Sequence, residues 1–172
     1  STLFNTNCYV EAFYASHTLE VDFANLNENK EFIYSVIRHT YTQQATIDKH
    51  IAAIKSGTDA ECYDAVLTVA KYIQKGWYAT LLASEINESA IIPTYILDAI
   101  AFAAKDVVST KLLWRMISYS LKTCDDLGGY YEDMRKKYDA ATTPEQKSAV
   151  ISNFCQEHPK DMVSAFITKV VE

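Results

Sequence analysis

His39 and His50 stand eleven residues apart with Asp48 between them. Eleven residues are about three helical turns, so one straight helix would place both imidazoles on a single face. A metal site needs three or four converging ligands, and the intervening "TYTQQAT" offers no further one. Both histidines therefore read as surface or boundary residues, and no metal is assigned. Cys155 and His158 are spaced i, i+3 at a helix end, the geometry of a thiol beside a base. A reactive thiolate needs an electropositive setting, so the pair reads as a buried thiol beside a surface histidine. The segment "CDDLGGYYEDMR" gathers Asp125, Asp126, Glu132 and Asp133 around two glycines. Its spacing does not match a calcium loop. It reads as a solvated turn whose glycines supply a left-handed backbone. No phosphate-cradling glycine loop, H-E-x-x-H, G-x-S-x-G or E-x-x-H pattern occurs. No catalytic residue and no cofactor are assigned.

Binding is the better-supported chemistry. Lys111, Trp114 and Arg115 fall at i, i+3 and i+4 of a helical pattern and form its basic–aromatic patch, with Lys122 one or two turns further on. A second basic run, Arg135, Lys136 and Lys137, is offset by Asp133 and Asp139. Tyr78, beside Trp77, is the ring of its helix expected to face a partner. Tyr78, Lys111, Trp114 and Arg115 are the candidate partner-binding residues. The chain has twelve tyrosines, enough to line a ligand groove, although rings of this kind usually sit at a core boundary with the hydroxyl in water.

The elements that must carry these residues are helices. The 172 residues suit one domain and can bury a sizeable core without disulfides or metals. Only four glycines and three prolines punctuate the chain, too few for a many-turned sandwich or barrel. The net charge of −6 argues against a broad grip on phosphate backbones. Cys8, Cys62, Cys124 and Cys155 are far apart and read as reduced thiols of an intracellular, cytoplasmic protein. No secretory signal is visible, and a targeting segment already removed would leave no trace. The most apolar run, Ala90–Ala104, contains Pro93 and Asp98 and is too short for a membrane span.

Periodicity predicts an all-α single-domain bundle of about seven or eight helices. A core bundle over about 7–124 is followed by a helical extension over about 130–171. The first helix is expected at Asn7–Ser16. The apolar pattern at Phe32–Ile37 resumes at Ile47–Ile54 as one bent helix or two, ended by Gly57. Thr58 and Glu61 form a capping box that opens a helix running through Gly76 to about Ser84. The helix over 93–107 is apolar nearly all round and is expected to be central and buried. Ser109 or Thr110 caps the next helix. Thr143-Pro144-Glu145-Gln146 is a strong start signal for the first of the last two helices.

Two segments carry a resemblance: "CYVEAFYAS" with "EFIYSVIRHTYTQQATIDKHIAAI", and "LLASEINESAIIPTYILDAIAFAAKDVVSTKLLWRMISYSL". Over about half the chain these resemble the NusB family of transcription antitermination factors. That resemblance implies a helical fold and a factor that binds RNA together with a ribosomal protein. The family's arginine-rich N-terminal stretch is replaced by "STLFNTN", and the chain from Asp125 onward has no counterpart, so no RNA-binding residue carries over. The residues themselves favour a non-catalytic protein–protein interaction module, a subunit or adaptor of a larger assembly. An enzyme or small-ligand binder with an aromatic-lined pocket is the third reading.

Overall fold

The computed structural model describes residues 10–123 and 125–171. These are helical, with no strand among them. By contact the chain groups into two compact units, Tyr14–Pro93 and Thr94 onward together with the residues up to Phe13.

The unit over Tyr14–Pro93 contains α1 (Leu19–Ala24), α2 (Lys30–Thr40), α3 (Gln44–Ser56), α4 (Asp59–Tyr72) and α5 (Lys75–Glu85). The N-terminal expectation is corrected: Val10–Ser16 carries no helix, and the first helix is α1. Asn7–Tyr9 lie outside the described residues. The Phe32–Ile54 pattern resolves into two helices, because Tyr41 is extended and its N–H closes α2 on the Ile37 carbonyl at 3.1 Å. Gly57 does end α3, but with φ −74°. Its reason is steric rather than conformational, since a Cβ there would collide with the Ala53 carbonyl oxygen. The Thr58 capping box is formed: the Glu61 carboxylate accepts from the Thr58 N–H at 2.7 Å, and the Thr58 hydroxyl accepts from the Glu61 N–H at 3.4 Å.

The helix expected to run through Gly76 is broken two residues earlier. Gln74 takes φ 70° and accepts the Tyr78 N–H at 2.9 Å, capping α5. Gly76 lies in open space within the first turn of α5. The core here is aliphatic, with Ile33, Val36 and Ile37 of α2 against Val66, Val69 and Ala70 of α4. Asn29 is buried among these apolar groups. Its side-chain amide donates to the Phe23 carbonyl at 3.2 Å and the Ile91 carbonyl at 2.8 Å, and its oxygen accepts the Ile91 N–H at 2.8 Å.

The other unit contains α6 (Thr94–Ala104), α7 (Thr110–Thr123), a 3-10 turn (Asp125–Tyr130), α8 (Tyr131–Ala140), α9 (Pro144–Glu157) and α10 (Met162–Val171). Among the described residues there are thus ten α-helices rather than seven or eight; the broken α2–α3 and α4–α5 patterns account for part of the difference. Leu97 and Ala101 of α6 share one core with Leu113, Ile117 and Leu121 of α7, Met134 of α8, Phe154 of α9 and Phe166 and Ile167 of α10. The C-terminal helices are therefore part of this core. The central, buried position expected of the 93–107 helix is not confirmed. Ile100 on α6 is 47% exposed, so the helix buries one face although its sequence is apolar on most sides. Ser109 caps α7, its hydroxyl accepting the Leu112 N–H at 3.3 Å. Asp161 caps α10 through the Ser164 N–H at 2.8 Å and accepts the Ser120 hydroxyl from α7 at 2.5 Å. Neither Gly128 nor Gly129 has positive φ, so the left-handed turn expected there is replaced by a 3-10 turn. No helix among the described residues is long and apolar enough to cross a membrane.

Candidate functional site: a basic–aromatic groove

Helix α7 buries a seam of Leu113, Ile117 and Leu121 at i, i+4 and i+8. That registry turns Lys111 and Arg115, one turn apart, toward solvent and leaves Trp114 half-buried at the edge. Helix α8 is anchored by Met134, which brings Tyr138, one turn later, against Trp114. The two rings stack almost parallel, 4.2 Å between centroids and 5° between planes. Helix α9 starts where the capping signal placed it. The Thr143 hydroxyl accepts the Gln146 N–H at 3.3 Å. Gln146 Oε1 accepts the N–H groups of Thr142 at 2.8 Å and Thr143 at 3.2 Å, and the Thr142 hydroxyl at 3.1 Å. This locks the α8–α9 connection and sets Lys147 one turn into α9. There its ammonium sits over the Tyr138 ring, 5.1 Å from the centroid.

The result is a groove of about 690 Å³ lined by Thr110, Lys111, Trp114, Arg115, Tyr138, Thr142, Pro144 and Lys147. Among the described residues no carboxylate lies within ion-pair distance of Lys111, Arg115 or Lys147, whereas Arg135 and Lys137 of α8 are paired. Lys137 holds Asp133 at 2.7 Å and Arg135 holds Asp139 at 3.6 Å, the offset read from the sequence. Such a groove can bind a negatively charged group next to an aromatic wall.

Lys111, Trp114 and Arg115 are thus brought together. Lys122 is not with them, its ammonium lying over the Tyr131 ring at 4.6 Å. Tyr78 is corrected: it belongs to the other unit and is 1% exposed, so it presents no surface to a partner. Burial, and then the Glu20 carboxylate, push its phenol well above the usual tyrosine range. Tyr138, Pro144 and Lys147 were not singled out by the sequence. The only signal near them is the start of α9, because their approach to α7 is tertiary.

The remaining sequence candidates do not converge. His39 lies 3.4 Å from the Glu85 carboxylate, while His50, on a different helix, stacks on Tyr41 with centroids 5.1 Å apart. Asp48 accepts from Gln44 at 2.8 Å. Among the described residues no group of three His, Cys, Asp or Glu could hold a metal ion. Cys155 is buried, which pushes its thiol up, the opposite of nucleophile activation. His158 packs on Phe154 and Tyr130 instead. Cys62 is likewise buried and free; Cys8 and Cys124 lie outside the described residues. Of the tyrosines, Tyr41 stacks on Tyr72 as well as on His50. No protein-family model, curated protein or solved structure matches the chain.

Proposed function

We propose that the chain is a non-catalytic protein-interaction module, a subunit or adaptor of a larger assembly, and that the α7–α8–α9 groove is its partner-binding face. One observation carries this: three cations without carboxylate partners among the described residues surround a stacked Trp–Tyr pair in a chain of net charge −6. Trp, Tyr and Arg are the residues most enriched at the energetic centres of protein interfaces. The RNA-binding reading would draw on the same cations. It is less well supported, because Tyr138 is 8% exposed and has no face open to a base.

A photo-crosslinking residue at position 110, which lines the groove without being one of its cations, in the full chain expressed in its native source, tests this. A defined protein adduct at 110, and none at the exposed position 55, is expected. A nucleic-acid adduct at 110, or no adduct at all, would overturn the proposal.

A further inference from the structure

We infer that the groove takes a short acidic segment of polypeptide, its carboxylates held by Lys111, Arg115 and Lys147. Lys111 and Arg115 sit one turn apart on α7, and Lys147 faces the same groove from α9. Two such points about a helical turn apart, with a third across the cleft, match several carboxylates on a few consecutive residues. The Arg115 fork can take one carboxylate through two parallel hydrogen bonds. The half-buried Trp114 ring, stacked on Tyr138, supplies an apolar wall for the segment's carbon atoms. A groove of about 690 Å³ suits a ligand of a few side chains.

The surroundings favour a short segment over a long polyanion. Tyr138 lies beneath Trp114 and the Lys147 ammonium, so a base would find no second ring to stack on. In the free protein the three cations repel one another, and an acidic segment removes that repulsion.

Trp77→Phe, at an exposed position of the other unit, leaves Trp114 as the only tryptophan and reporter. The full chain is titrated with an end-blocked eight-residue Asp/Glu peptide, its Asn/Gln counterpart, inorganic phosphate and an eight-residue oligouridylate. A saturable change in Trp114 emission with the acidic peptide alone is expected. Its Kd should rise at least about tenfold with Lys111→Gln or Arg115→Gln, and further with added salt. Circular dichroism checks that these exposed-site variants keep their helices. Equal binding of the amide peptide, tighter binding of the oligouridylate, the same change with phosphate alone, or no saturation would each overturn it. Acidic-peptide binding presupposes the interaction role. A protein adduct at position 110 without acidic-peptide binding removes the chemistry and leaves the role standing.

Discussion

Asn29 and Asp161 tie separate parts of their own units together, one with an amide and the other with a carboxylate. Asn29 is 0% exposed and faces the backbone around Ile91, an irregular stretch whose N–H and C=O both need partners. Only a group that donates and accepts at once can satisfy both, and an amide does so without charge. Asp161 faces donors alone: the Ser164 N–H at the start of α10 and the Ser120 hydroxyl. There a carboxylate suits the need, and its charge is favourable at a helix N-terminus. The lesson is that the polarity of what must be satisfied chooses the residue. Helix starts present donors; irregular backbone presents both kinds.

Exchanging the chemistry breaks this comparison. Asn29→Asp removes both donations and places an unpaired charge in an apolar core. We expect a loss of more than about 4 kcal/mol, or failure to fold. Asn29→Ala leaves the Ile91 carbonyl and N–H without this partner, while the Phe23 carbonyl keeps the Leu26 N–H at 3.4 Å, and should cost about 3 kcal/mol. Urea unfolding followed by circular dichroism measures both. An Asn29→Asp protein as stable as the native one would show that the amide is not the tie.

Tyr78 sharpens the contrast, because its hydroxyl is a buried polar group with no hydrogen-bond partner among the described residues. Tyr78→Phe removes that group and should stabilise the protein by about 1 kcal/mol at neutral pH. The sign of the pH effect follows from the raised phenol. The folded protein holds its proton where an unfolded tyrosine, with a pKa of about 10, has lost it. Stability is therefore intact below about pH 10 and falls as pH rises above it, by up to about 1.4 kcal/mol per pH unit. Tyr34 and Tyr41 are raised by burial in the same direction, so Tyr78→Phe should flatten the alkaline loss only in part. An unchanged alkaline limb in thermal melts between pH 9 and 12 would refute this.

Local chemistry was legible in the sequence; tertiary chemistry was not. Both capping boxes formed because Thr58 with Glu61, and Thr143 with Gln146, need only three residues of chain. Half of the groove was legible for the same reason, since Lys111, Trp114 and Arg115 share one helix face. Tyr138 and Lys147 come from helices that begin more than a turn of sequence away, and nothing in their own segments marks the approach to α7. Asn29 stands in "LNENKE" among other asparagines, and its burial depends on Ile91, sixty-two residues further on. The all-round apolarity of α6 does not fix its burial, because composition gives an average hydrophobicity, whereas exposure of Ile100 depends on which neighbours are present.

Asp161→Asn is the converse of the Asn29 exchange and should be mild. One oxygen still accepts the Ser164 N–H, and the Ser120 hydroxyl can turn to accept from the new amide. Loss of the charge at the start of α10 leaves a cost of about 1 kcal/mol. A loss as large as that of Asn29→Asp would mean that the two ties do not differ in kind.

The smallest effect expected is at Gln74, where the unit over Tyr14–Pro93 turns between two helices without the residue best suited to the turn. Its φ of 70° with ψ 139° is a backbone conformation that side chains other than glycine's rarely adopt, a strain of about 1–3 kcal/mol that glycine lacks. The chain has a glycine two positions later, in the first turn of α5, where its freedom is a liability. Gln74→Gly should stabilise by about 0.5 kcal/mol, less than the strain released, because glycine also widens the unfolded ensemble. Gly76→Ala should add a similar amount, since its Cβ would meet nothing within 4 Å. The double variant should be close to additive if strain at 74 and chain freedom at 76 are separate effects. If instead Gly76→Ala stabilises alone and Gln74→Gly destabilises, the Gln74 side chain contributes more at the α4–α5 corner than its backbone strain takes away.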